Sequence, residues 1–109
     1  VELPRSTPIH SLLVDEQALE QLDAFVVELG ERIDLIQEAE QIGHLGEAAK
    51  RARELATQAL AMGLPPLSEA ADRVVAHCER GDARDAHAEI VALTEVVTRV
   101  RLGHRGGLV

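Results

Sequence analysis

The sequence predicts an all-α fold, an antiparallel up-down-up-down four-helix bundle. Apolar residues recur at helical spacing along four successive stretches. Glycines and prolines mark the joints between those stretches. The core has almost no aromatic material: one Phe, no Tyr and no Trp in 109 residues. Apolar mass therefore comes from Ala, Leu, Val and Ile. That mix suits close-packed helices better than a sandwich or barrel, which draws on aromatic and β-branched residues.

Residues 1–14 read as a lead-in. Pro4 and Pro8 forbid a lasting helix, and a short helical turn around Ser11–Leu13 is expected to cover one end of the core. From Asp15 the pattern becomes periodic. Leu19, Leu22, Val26, Leu29, Ile33 and Ile36 follow a 3-4-3-4-3 spacing, the apolar stripe of a long amphipathic helix. Asp15 suits its N-cap and Glu16 its first turn. Gly30 lies inside the run and predicts a kink or break there, and Gly43 and Gly46 close the helix.

A second stripe, Leu45, Ala48, Ala52, Leu55, Ala59 and Met62, repeats the spacing and places a helix at about 44–62. Gly63 stops it, and Pro65 and Pro66 open a third helix, where proline is tolerated in the first turn. The third stripe is Leu67, Ala71, Val74 and Cys78, ending at Gly81. Asp82 caps the fourth helix, with the stripe Ala86, Ile90, Leu93, Val97 and Val100. That segment is β-branched enough for a strand, but its spacing and length favour helix. The bundle is thus expected over 15–102, with a flexible Gly-rich tail at 103–109.

The net charge of −8 disfavours nucleic acid and anionic membrane as partners, and the missing aromatics remove base stacking. The single Cys78 forms no internal disulfide, so the expectation is a cytoplasmic setting. No signal peptide or membrane span is recognisable. Val1 in place of Met points to a domain cut from a longer chain or to processing. His10, His44, His77, His87 and His104 form no metal pair at helical spacing, so neither metal nor cofactor is expected. His77 and Cys78 are adjacent in one helix and cannot face each other as a nucleophile couple. The carboxylates of residues 15–40 fall off the apolar stripe and read as a solvated face.

The second helix carries opposite charge. Lys50, Arg51 and Arg53 lie within one turn of an otherwise acidic chain. Lys50, Arg53, Thr57 and Leu60 share one strip, with Ala56 beside it. Basic at one end and apolar at the other, the strip fits a docking surface for an acidic pocket. The plainer reading is solubilising residues next to one exposed Leu.

The run Ala52-Arg53-Glu54-Leu55-Ala56-Thr57-Gln58-Ala59, followed by Met62-Gly63-Leu64, Leu67 and Ala71, resembles the histidine-containing phosphotransfer (HPt) domain. That family reads Ala-His-x-Leu-Lys-Gly-x-Ala, with Gly, Leu and Ala at the same later spacings. Phe25, Val26, Leu29, Arg32, Ile33 and Ala39 are similar to the family's first long helix, so the resemblance spans roughly residues 9–102. It implies a four-helix bundle in a two-component phosphorelay, with a response-regulator receiver domain or histidine-kinase module as partner. The departures fall at the chemistry. The family's phospho-accepting His falls on Arg53, its Lys on Ala56 and its Gly on Thr57. A guanidinium stays protonated and is no nucleophile. His44 lies nine residues before Arg53, half a turn round the helix and ~13 Å away.

The expectation is a degenerate HPt module: not an enzyme, without phosphate carriage, binding as a monomer through Lys50, Arg53, Ala56, Thr57 and Leu60, with Leu35 of the first helix adding apolar contact. An active carrier using a non-standard His, and a structural or oligomerisation bundle within a larger signalling protein, are the alternatives.

Overall fold

The computed structural model describes residues 7–13 and 15–106. It contains four helices, α1 (Glu16–Gln41), α2 (Leu45–Ala61), α3 (Pro65–Glu79) and α4 (Ala83–Gly106), and no strand among the described residues. Each pair of successive helices is joined by three residues. Each helix packs on its neighbour in sequence, and α4 closes against α1. Contacts along α1 and α4 fix their opposite directions. His87 near the start of α4 meets Glu40 near the end of α1, and His104 near the end of α4 meets Asp23 near the start of α1, both at 2.8 Å.

One local device ends α1, α2 and α3. Gly43, Gly63 and Gly81 have φ of 82°, 71° and 72°, a region that residues with a Cβ rarely adopt. The next amide in each case reaches back five residues: His44 N–H donates to Ala39 O, Leu64 N–H to Ala59 O and Asp82 N–H to His77 O, at 2.8, 2.9 and 3.2 Å. This glycine-closed stop satisfies carbonyls that the helix end leaves bare. Gly46, expected to help end the first helix, instead stands in the first turn of α2. The joint needs one positive φ, and Gly43 supplies it. The expected break at Gly30 is also absent, and α1 continues through it as one helix. Arg101 of α4 lies over this position, 3.5 Å from where a Cβ would stand.

Every residue of the four stripes is buried or half-buried except Leu19, which is 41% exposed near the start of α1. Small residues dominate the α2 core face: Ala48, Ala49, Ala52, Ala56 and Ala59 are all buried. They let α2 approach α3, and this is the most extensive helix pairing in the molecule. Phe25 is buried at the edge of the core, with the Arg32 guanidinium 5.7 Å from its ring centre.

The ends of the chain differ from expectation. Residues 103–106 are not tail: α4 runs to Gly106, and Gly103 is buried. The rest of the expected tail, 107–109, lies outside the described residues, as do 1–6 and Val14 of the lead-in. The described lead-in forms no helical turn at Ser11–Leu13, but it does cover the core. Ile9 is buried, and its N–H donates to Arg99 O at 2.9 Å. Leu12 N–H donates to Gly63 O at 2.9 Å, and Ser11 Oγ to Met62 O at 2.6 Å. The segment therefore runs as a strap from α4 to the α2–α3 joint. An extended strap makes these outward bonds because its own amides have no helical partners.

Candidate functional site

The outer face of α2 carries the residues that the sequence singles out. Lys50, Arg53, Thr57 and Leu60 are exposed, and Leu60 is 63% so. Their spacing of three or four residues keeps them on one side of the helix. Thr57 Oγ1 donates to the Arg53 carbonyl at 3.2 Å, tying its hydroxyl to the helix backbone.

The electrostatics are more balanced than a basic strip. Arg53 Nη2 is paired with Glu79 of α3, both side chains half-exposed. Arg51 Nε is paired with Glu47 one turn earlier at 2.9 Å. An incoming acidic group must therefore compete with Glu79 for Arg53. Exposed pairs of this kind are worth only about 0–1 kcal/mol, so exchange is inexpensive.

Ala56 does not join the surface. It is 5% exposed, beside Ala52 and Ala59 on the core side of α2. Its helical position lies between those residues and Arg53, on the flank that Arg53 turns towards α3. The position matching the HPt lysine thus sits in a close-packed seam, where a long side chain has little room. Leu35 is half-buried and on the other flank of α2. One turn earlier on α1, Arg32 Nη1 donates to Gln58 Oε1, which marks the α1–α2 side. The structure therefore brings together Lys50, Arg53, Thr57 and Leu60 and separates Ala56 and Leu35 from them.

The histidines lie elsewhere. His44 is the exposed N-cap of α2, and His10 is exposed in the strap. His87 and His104 are engaged by Glu40 and Asp23. His77 sits in the last turn of α3, where its Nε2 lies 3.6 Å from Glu89 Oε2. A ring nitrogen of His77 and one carboxylate oxygen each from Asp82 and Asp85 lie within 4.8 Å of one another. Sequence spacing concealed this group, because its members stand five and three residues apart across a helix joint rather than on one helix face. The signal available was the joint itself, which folds the end of α3 back on the start of α4.

Asp82 performs the expected capping. Its Oδ1 accepts the Asp85 N–H at 3.2 Å. That backbone bond, with a side-chain bond from Asp85, holds the Asp82 carboxyl below its usual range. The same side-chain bond to Asp82, with repulsion between the two carboxylates, pushes Asp85 up. Burial, with Glu40 and Glu79 adding to it, pushes the Cys78 thiol up.

At the opposite end of the molecule, a cleft of about 690 Å³ opens between the strap, α1 and α4. Ile9, Leu22, Val26, Leu64 and Val100 line it, with Asp23 and His104 at its wall. No helix of the described residues is long and apolar enough to cross a membrane. Comparison of the chain with protein-family models, curated proteins and solved structures finds no match.

Proposed function

We propose that this bundle is an HPt-like interaction module that docks a receiver domain or kinase module of a phosphorelay without itself carrying phosphate. The observation that supports the reading is the exposed row Lys50, Arg53, Thr57 and Leu60 on α2, with Arg53 in the register of the family's phospho-accepting His. The resemblance implies a partner with an acidic phospho-acceptor pocket. Arg53 offers that pocket a standing positive charge, and Leu60 offers apolar area beside it. Charge of this kind sets orientation and encounter rate, while the buried apolar contact slows dissociation. The absence of phosphate carriage follows from the guanidinium, and among the described residues no imidazole belongs to the row.

The test is direct binding. Purified receiver domains, with and without acetyl phosphate, and kinase modules are passed over the immobilised chain. The expected result is binding that Arg53→Glu and Leu60→Asp each weaken at least tenfold, with no acid-labile label on the chain. Failure of every receiver and kinase module to bind, or equal binding by both variants, overturns the proposal. An Arg53→His, Thr57→Gly protein is the matching gain-of-function test. Ala56 is left unchanged in it, because a lysine there would have to leave the α2–α3 seam.

A further inference from the structure

We propose that the α3–α4 joint is a binding site for a divalent cation of the zinc class, held by His77, Asp82 and Asp85. It does not depend on docking at α2. The donor atoms already lie within 4.8 Å of one another. Around a tetrahedral ion with bonds of 2.0–2.2 Å, donor atoms stand roughly 3.3–3.6 Å apart. Modest side-chain rotation about Asp82 and Asp85, both exposed, closes that difference.

The backbone holds the three residues in place. Asp82 N–H bonds His77 O at 3.2 Å across the glycine-closed joint. Asp85 N–H bonds Asp82 Oδ1, which holds that carboxylate at the start of α4 beside Asp85. All three side chains thus stand on the ends of packed helices, where a site loses little entropy on binding.

An independent observation concerns His77 alone. Its side chain is 21% exposed, yet its Nδ1 is fully buried and has no hydrogen-bond partner among the described residues. A buried polar atom without a partner is unfavourable and uncommon. Nε2 lies on the Glu89 side of the ring, 3.6 Å from Glu89 Oε2, and Nδ1 is the atom left without a partner. Glu89 is itself held by Arg73 Nε at 3.4 Å. A carboxylate behind the far nitrogen of a ligating imidazole is the usual support of a metal-bound His.

The donor set selects the ion. One imidazole nitrogen with two carboxylates suits zinc and its first-row neighbours better than calcium or magnesium, which take all-oxygen shells. Cys78 follows His77 but is buried on the core stripe, so no thiolate joins the set. A dication also offsets the repulsion between Asp82 and Asp85 in a chain of net charge −8.

The experiment is titration of the whole chain with zinc chloride, followed by calorimetry and thermal melting, with calcium and magnesium chlorides in parallel. One zinc per chain is expected, with a zinc-dependent rise in melting temperature. His77→Gln and Asp85→Asn each keep the helical circular dichroism and weaken zinc at least tenfold, although the other four histidines remain. Glu89→Gln, a change at a positioning residue, weakens it about 10–100-fold. In a histidine nitrogen NMR spectrum, zinc moves the His77 ring signals first. Zinc bound equally by wild type and His77→Gln, no one-to-one binding up to millimolar zinc, or equal affinity for calcium and magnesium overturns the proposal.

Discussion

Gly103→Ala adds one methyl group where the strap crosses α4. A Cβ at that position would stand 2.0 Å from Ile9 O, 2.6 Å from Ile9 C and 3.1 Å from Ile9 N. Ordinary contact begins near 3.4 Å, so the Ile9 backbone must retreat by about 1.4 Å. The obstacle is backbone, which has no rotamer to change. The retreat breaks the 2.9 Å bond from Ile9 N–H to Arg99 O and lifts the Ile9 side chain out of the core. Losing the bond costs about 1 kcal/mol. Re-exposing an isoleucine costs about 1.5–3 kcal/mol. The helix gains at most about 1 kcal/mol from replacing glycine by alanine. The net expectation is destabilisation of about 2 kcal/mol. In a domain of this size that lowers the melting temperature by roughly 8–16 °C. Circular dichroism melting measures the loss, and hydrogen exchange locates it. Ile9 and Leu12 amides lose protection while those in the middle of α2 and α3 keep theirs. Gly46→Ala is the control, since nothing lies within 4 Å of its added Cβ. A Gly103→Ala protein that melts at or above the wild-type temperature, with Ile9 and Leu12 still protected, refutes the reasoning.

Further outcomes follow from the core face of α2, the buried thiol and the cap of α4. Ala52→Leu, at a fully buried position of the α2 core face, is expected to destabilise by about 1–3 kcal/mol through overpacking, read as a lower urea midpoint. The Cys78 thiol, raised above its ordinary value of 9.0 by burial, stays protonated in the folded chain where the unfolded chain ionises. Stability therefore falls as pH rises past 9.0, and Cys78→Ala should flatten that alkaline limb in pH-dependent melting. The same thiol should react with a disulfide reagent slowly in the native protein and quickly in denaturant. Asp82→Ala removes the acceptor for Asp85 N–H and should lower the melting temperature, whereas Asp82→Asn, which keeps a capping oxygen but not the charge, should lower it less.

The helices were legible because their cause is local. Spacing alone located Leu55, Leu67, Val74, Ile90 and Leu93 in the core, and all five are buried. Gly63 and Gly81 also announced their joints, since only glycine takes the required φ without strain. The candidate surface was partly legible. Helical geometry placed Lys50, Arg53, Thr57 and Leu60 together, but it could not show that Ala56 turns into the α2–α3 seam. That depends on which flank of α2 the third helix occupies. Nor could spacing reveal that Glu79 reaches Arg53, because the two are separated by a chain reversal.

By itself, the sequence determined the fold class, the four stripes and the places where the chain turns back. Each depends on residues within one or two turns of one another. Tertiary structure alone decided that the lead-in is a strap, that Gly103 is a crossing point rather than tail, and that His77 meets Asp82 and Asp85. These depend on how closely two backbones approach and how side chains meet across a joint. Periodicity records which face of a helix avoids water, but it carries no information about what that face meets.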